Sequence, residues 1–250
     1  MQVFLTLTRR ELGSFFLSWT GYSIIAAVVF LLGFGFATVL DLLNAEPTPV
    51  PVTQLFCESY FFLFILLLTS PIITMRSLAQ EKASGTYETL MTTPVGDAQV
   101  VLAKFAGAML FYLILWLPLA GCMFVVRHYS NDPTVFDPAT VATTYLGILL
   151  WGSVYTAMGI FASATTRSVI IAAIVSVAMG LTLFMASFLS SALSAQTGLK
   201  AQLASHIALQ EHMRDFAQGV IDIRPMVLSL SLTSFFLFLS WKAVESRRWK

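Results

Sequence analysis

The polar side chains with the most recognisable order lie in one stretch, residues 76–104, between two apolar runs. Ser77 and Gln80 have the spacing of a capping box, which predicts that a helix starts there. Gly85 predicts a break in that helix, because glycine adopts backbone angles that other residues avoid. These residue types suit recognition of another surface rather than catalysis.

A second, short helix is predicted after this glycine. Thr86 can cap it, residues 87–91 would form it, and Pro94 would end it. A short amphipathic helix held between two membrane helices suits docking into a groove on a soluble partner. The alternative is an ordinary polar loop, since loops between membrane helices are commonly polar and contain turns.

No catalytic, cofactor or metal site is predicted. No lysine is followed by Ser or Thr, so the chain lacks the phosphate-binding loop of ATPases. No histidine lies inside an apolar run to activate a serine such as Ser153 or Ser176, and the His-Glu-x-x-His motif is absent. If the protein is a pump, ATP must act through a separate subunit.

The composition is that of a membrane protein. Of the 250 residues, 57% are hydrophobic and 11% are charged, with a mean hydropathy of +0.81. Soluble chains carry roughly 25% charged residues, so most side chains here must face lipid or other apolar helices. The net charge of +1 is uninformative about a nucleic-acid partner, but no basic stripe with interleaved aromatic residues is present, so none is predicted.

Six apolar runs are long enough to cross a bilayer, and no repeat divides residues 1–250 into separate domains. We predict an all-α membrane protein with one transmembrane domain. Pro118 predicts a kink, which membrane helices tolerate because neighbouring helices satisfy the freed backbone groups. Residues 42–54 hold three prolines and are predicted to be a loop without helix. The predicted spans are residues 21–41, 55–75, 100–126, 141–163, 169–190 and 225–242.

An amphipathic segment precedes the first span. Arg10, Glu11 and Ser14 lie opposite its apolar side, which predicts an interfacial helix with its charged face in water. A cleaved signal peptide is the alternative, but the next apolar run has about 20 residues, where a signal core has roughly 7–15. We therefore expect a retained first span.

A second amphipathic segment lies between residues 191 and 224. Its periodicity predicts an extracytoplasmic helix that lies flat on the bilayer or over the mouth of the bundle. The predicted apolar line holds Leu209, Met213, Phe216 and Val220.

Lysine and arginine predict the orientation. Six spans put both termini on one side, and ten of the 14 basic residues fall on that side. The termini and residues 76–104 are therefore predicted to be cytoplasmic, in the compartment that holds ATP. Asp41 and Glu58 lie near the outer span ends, and the lack of deeper charge argues against an ion-coupled transporter.

Small residues four apart predict close helix contacts. Packing inside the bundle is favoured over a seam between two chains. The pairs are Gly33 with Ala37, Ser153 with Ala157, and Gly159 with Ser163. Cys57 and Cys122 lie in apolar runs and are expected to be inert thiols rather than a disulfide or redox pair.

One pattern in residues 81–104 resembles the loop after the second membrane helix in permeases of type-2 ABC exporters. It reads Glu81-Lys82-x-x-Gly85-Thr86-x-Glu88-x-Leu90-x-x-x-Pro94, with Lys104 following. Both ends of the chain resemble the gliding-motility-type branch of these permeases. The segments that carry this resemblance are Arg9-Arg10-Glu11-Leu12 to Tyr22, and the tail HMRDFAQGVIDIR with Glu245-Ser246-Arg247-Arg248-Trp249. The resemblance covers nearly the whole chain.

This resemblance implies that the loop forms a coupling helix on a cytosolic ABC ATPase subunit, which itself binds ATP and Mg²⁺. It also implies a second permease chain, identical or paralogous, in the cytoplasmic membrane of a prokaryote, with an extracytoplasmic auxiliary protein left open as a further partner. The implied ATPase contacts are Glu81, Lys82, Gly85, Thr86, Tyr87, Glu88, Leu90 and Pro94, together with the interfacial residues Arg9, Arg10 and Glu11.

Two other functions are open alternatives. A six-span scaffold or assembly factor would be stable without an ATPase, and neighbouring reading frames would encode none. An ion-coupled secondary transporter would respond to ionophores rather than to ATP depletion, and the scarcity of charge in the spans disfavours it.

Overall fold

The computed structural model describes residues 2–45, 50–86, 96–129, 137–193 and 209–246. These residues form ten helices and no strand, as the predicted fold class requires. In chain order the helices are α1 (Gln2–Phe16), α2 (Trp19–Ala45), α3 (Val52–Glu58), α4 (Tyr60–Thr74), α5 (Ala79–Ser84), α6 (Asp97–Tyr129), α7 (Pro138–Thr165), α8 (Val169–Leu193), α9 (Leu209–Ala217) and α10 (Ile223–Glu245).

Six of the described segments are long and apolar enough to cross a membrane, which confirms the number of predicted spans. Both described chain ends lie at the same end of the bundle. There Val244 of α10 packs with Leu78, which immediately precedes α5, and with Val101, near the start of α6. Helix α1 lies along α6. The six segments are Trp19–Leu43, Tyr60–Ser84, Asp97–Tyr129, Pro138–Thr165, Val169–Phe188 and Ile223–Glu245.

The prediction of a helix-free loop over residues 42–54 is wrong at both ends. Helix α2 continues to Ala45, and α3 starts at Val52 immediately after Pro51. A proline before the first helical turn is compatible with a helix, because amides at a helix start have no intrahelical partner. Residues 46–49 lie outside the described part of the chain.

The predicted span over residues 55–75 is divided. Ser59 is extended, with φ −70° and ψ 150°, and separates α3 from α4. Its Oγ accepts a hydrogen bond from the Phe62 amide at 3.4 Å, as a cap at the start of a helix does. The membrane segment therefore begins at Tyr60, and α3 lies outside it.

Helix α7 is the centre of the bundle. In the most apolar stretch of α7, 78% of the residues are buried inside the bundle. In the corresponding stretch of α8 only 17% are buried, so most of α8 is exposed. Close approach of neighbours explains this burial: a Cβ added to Gly152 would lie 2.2 Å from the Tyr112 ring, and one on Gly159 would lie 2.0 Å from Thr74 Oγ1. Only glycine leaves room for these contacts.

The small-residue pairs of α7 lie inside the bundle. Ser153 Oγ is 2.9 Å from Thr233 Oγ1 of α10, and Ser163 Oγ contacts the segment before α5. These contacts confirm intrachain packing at those positions. Gly33 of α2 differs, since a Cβ added there would meet no atom within 4 Å.

Pro118 in α6 is accommodated by a tyrosine of α7. The Tyr145 hydroxyl accepts from the Ala120 amide at 2.8 Å and donates to the Trp116 carbonyl at 2.7 Å, so it replaces one backbone hydrogen bond. A neighbouring helix thus satisfies an amide and a carbonyl beside the proline, whereas the carbonyl that the missing Pro118 N–H leaves without its usual donor is that of Ile114.

Helix α9 packs over the end of α7 and beside α3. Leu209, Met213 and Phe216 are buried as predicted. Val220 is instead 52% exposed, because Gly219 ends the helix at φ +87° and turns the chain before that residue.

Candidate coupling site

Helix α5 carries the first part of the predicted coupling stretch, and α7 fixes its start. The amides of Leu78 and Ala79 donate to Ser163 Oγ at 3.0 and 2.9 Å. The predicted capping box is therefore wrong, since Ser77 Oγ is buried without a hydrogen-bond partner among the described residues. A hydroxyl from a distant helix has taken the place of the local cap.

Lys104 is the centre of the site. Its side chain is 3% exposed, and its Nζ donates at 2.8 Å to Glu11 Oε1, to Glu81 Oε1 and to the Ser77 carbonyl. All three donor positions of the ammonium are thus used, which a buried lysine requires. One cation joins α1, α5 and α6, although Glu11 and Glu81 lie 93 and 23 positions from the lysine in sequence.

Arg10 adds an outer contact to this cluster. Its Nη2 lies 3.4 Å from Glu81 Oε1 and 3.6 Å from Glu11 Oε1, and its side chain is 55% exposed. We call Arg10, Glu11, Glu81 and Lys104 the charge cluster. It contains two cations and two anions, so its formal charges cancel.

The prediction that Glu11 faces water on α1 is wrong. Its side chain is only 16% exposed and points at Lys104. Helix α1 also lies close to α6, where a Cβ on Gly107 would be 2.8 Å from Glu11 Cβ. Pairing with a buried lysine thus overrides the helical pattern, while Arg10 remains exposed as expected and Arg9 is also exposed.

The remaining described residues of the predicted contact divide into buried and exposed ones. Lys82 is buried, and its ammonium donates to the Ala164 carbonyl at the end of α7. Gly85 has φ +74° and ends α5, which confirms the predicted break. Thr86 is exposed, and its Oγ1 lies 2.8 Å from Ser84 Oγ. Lys82 thus holds α5, whereas the residues after it face outward.

The other predicted contacts lie outside the described residues. These are Tyr87, Glu88, Leu90 and Pro94, and with them the predicted second short helix. Their assignment as ATPase contacts stays a prediction.

The opposite end of the bundle carries a polar network of another kind. Gln218 Nε2 donates to Gln54 Oε1 at 2.9 Å, and Gln54 Nε2 donates to Glu58 Oε1 at 2.8 Å. Arg214 Nε lies 3.5 Å from the same Glu58 oxygen, and both side chains are at least a third exposed. Glu58 therefore links α3 to α9.

The charge cluster is what sequence reasoning missed. The signal was present, since Lys104 falls inside the predicted span 100–126, where a charge is costly unless it is paired. Glu11 and Glu81 were both singled out, but for an external partner. Among the described residues no group of three metal-binding side chains occurs, and the Cys57 thiol is buried.

A family model described as ABC-2 family transporter protein matches residues 23–241. The chain belongs to this family. The match runs from α2 into α10 and so includes α5 and Lys104, whereas α1 lies outside it. A search of curated proteins gives no match to the chain.

Membership places this ABC-2 family chain among the multi-pass membrane subunits of ABC transporters. The match names the family and no branch, so the gliding-motility-type assignment stays a prediction.

Proposed function

We propose that this chain is the permease subunit of an ATP-driven exporter in a prokaryotic cytoplasmic membrane. Two such chains, identical or paralogous, would pair and rest on two ATPase subunits that bind ATP and Mg²⁺. The single observation that carries the proposal is the charge cluster, because Lys104 links the predicted coupling stretch to the predicted interfacial helix.

The charge cluster is suited to transmit a movement of α5 to the neighbouring helices. A push on α5 reaches Lys104 through Glu81 and reaches α1 through Glu11, across contacts of 2.8 Å. Lys82 and Ser163 connect the same short helix to the central helix α7. ATP binding drives such a movement only if the ATP-bound partner contacts two arrangements of the permease differently.

The exposed part of the stretch would supply the contact itself. Thr86 and the residues that follow it, Tyr87, Glu88, Leu90 and Pro94, are the proposed contacts with the ATPase. Arg9 and Arg10 of α1, both exposed, would lie at the edge of the same contact. Export and not import is proposed from the resemblance to type-2 exporters.

Substitution of Gly85 by Val together with Glu88 by Ala tests the contact. Gly85 adopts φ +74°, which valine strongly disfavours, so the stretch after α5 would be redirected. We expect loss of ATPase co-purification and of permease-dependent ATP turnover. If both survive unchanged in a correctly folded variant, the assignment of this stretch is wrong.

A Glu81→Gln variant tests transmission apart from docking. We expect the ATPase to co-purify while permease-dependent ATP turnover falls, since the amide is a weaker acceptor for Lys104. Glu245→Gln is the matched control, because Glu245 pairs with Lys242 on the surface. Equal turnover in the two variants would contradict a role for the charge cluster in coupling.

The orientation is tested with a Tyr87→Cys variant and a membrane-impermeant thiol reagent, with the unsubstituted chain as control. We expect labelling in broken cells and none in intact cells. Labelling from outside intact cells would invert the orientation and exclude contact with a cytosolic ATPase.

A further inference from the structure

A groove opens beside the charge cluster, between α1, the start of α2 and the segment that joins α4 to α5. Its volume is about 970 Å³. Phe15, Ile24 and Ile72 line one part of it, and Arg76, Thr20 and Ser23 line another. The groove is thus amphipathic, with an apolar wall and a polar wall that carries a cation.

The carboxylates near the groove are already neutralised. Glu11 and Glu81 direct their Oε1 atoms at Lys104, and the second oxygen of Glu81 is buried. Arg10 contributes the second cation of that neutral charge cluster. Arg76 therefore gives the groove a net positive charge.

Arg76 is held in place without being neutralised. Its Nη1 donates to Thr20 Oγ1 at 3.2 Å, and within the described chain it forms no ion pair. Thr20 Oγ1 is itself 3.0 Å from Ser18 Oγ, so the hydroxyl that positions Arg76 is held by its neighbour. An exposed arginine that is held in position and forms no ion pair with the described residues is a favourable site for a phosphate group.

The aromatic side chains around α2 place this groove at the depth of lipid headgroups. Trp19 is 87% exposed and Tyr22 is 58% exposed, next to Thr20 at the start of the first span. Exposed Trp and Tyr at a span end mark the membrane–water interface. Arg76 follows α4 at the same end of the bundle.

We propose that this groove binds an anionic phospholipid of the leaflet facing α1. Arg76, positioned by Thr20, holds the phosphate, and an acyl chain lies along Ile24 and Ile72. This lipid would bind whether or not the chain couples ATP hydrolysis to transport. Basic pockets between membrane helices at the cytoplasmic face recognise lipid headgroups by the same physics.

A photoreactive phosphatidylglycerol tests the proposal on the full chain in nanodiscs of phosphatidylcholine. We expect crosslinks in the peptides that contain Thr20 or Arg76. Arg76→Gln should reduce this labelling about fivefold, the weight that one basic residue carries near an anionic surface. Arg167→Gln is the matched control, since Arg167 is exposed in the α7–α8 connection outside the groove, and it should leave labelling unchanged.

A second pair of variants tests the groove without changing charge. Ser23→Trp fills the groove and should reduce labelling to a similar extent, whereas Ser231→Trp, at an exposed site on α10, should not. Unchanged labelling in both Arg76→Gln and Ser23→Trp would overturn the proposal.

Three further outcomes would also overturn it. A photoreactive phosphatidylcholine that labels equally would show an apolar groove without charge recognition. Competition by free inorganic phosphate would assign the site to a soluble anion. Loss of labelling when purified ATPase is added would assign the groove to that partner.

Discussion

The two ends of the helical bundle are held together by different forces. At the α5 end, Lys104 is 3% exposed and joins three helices through charged contacts of 2.8 Å. At the α9 end, Phe216 and Met213 pack against the Gly147 backbone, and the polar contacts around Gln54 are exposed or neutral. One end depends on a buried cation and the other on apolar packing.

This difference has a functional consequence. A buried ion pair is costly to break but contributes little net stability over apolar side chains of the same volume. We propose that the cluster fixes the geometry between helices at the α5 end, where the ATPase of the proposed function would push. The α9 end needs only to close the bundle, and apolar contacts suffice there.

The largest effect is expected from Lys104→Met. It removes the cation and leaves Glu11 and Glu81 together in a site where they are 16% and 20% exposed, at a cost of about 4 kcal/mol in unfolding free energy. Unfolding in a graded series of denaturing detergent measures it. Lys242→Met is the control, since that surface pair should contribute about 0–1 kcal/mol.

A rescue variant separates charge from packing in this cluster. Adding Glu11→Gln and Glu81→Gln to Lys104→Met removes the uncompensated carboxylates, and more than half of the lost stability should return. A variant that stays as unstable as Lys104→Met alone would indicate lost packing instead of an unpaired charge.

At the α9 end, Phe216→Ala should cost about 3 kcal/mol, because this fully buried ring lies between α9 and α7. Phe124→Ala, at a position 65% exposed on α6, should change stability little. The same detergent titration compares them. The comparison between the two ends fails if Phe216→Ala is as mild as its control.

A neutral hydrogen bond inside the bundle should contribute less than either of these contacts. Tyr145→Phe removes the hydroxyl that bridges Trp116 and Ala120 beside Pro118, and it should cost about 1 kcal/mol. Tyr129→Phe, at an 81% exposed tyrosine, should have no measurable effect. A cost equal to that of Lys104→Met would remove the distinction between charged and neutral contacts.

The smallest effect is expected from Asp215→Asn on α9. Partial burial and the nearby Asp222 raise the pKa of Asp215, and Arg214 opposes them. A raised folded pKa means that the folded chain binds the proton more tightly, so this group destabilises the fold at neutral pH.

Asp215→Asn should therefore raise the unfolding temperature slightly at pH 7, and the difference should vanish below the ordinary pKa of the carboxyl. Measurement of unfolding temperature against pH checks this. A difference that grows as the pH falls would show that the carboxylate stabilises the α9 end.

Local periodicity and composition predicted most of the architecture. The apolar runs are long enough that only a membrane-spanning helix satisfies their backbone, so the number of spans required no tertiary information. The break at Gly85 and the buried face of α9 were also readable, since each depends on a residue type or a spacing within one segment.

Tertiary contacts decided where the polar side chains go. The sequence singled out Glu11 and Glu81, but their shared partner Lys104 became visible only when α1, α5 and α6 were brought together. Ser163 likewise took over the cap that Ser77 was expected to form. A helical pattern fixes which residues share a face, whereas the partner of a buried charge depends on contacts between segments distant along the chain.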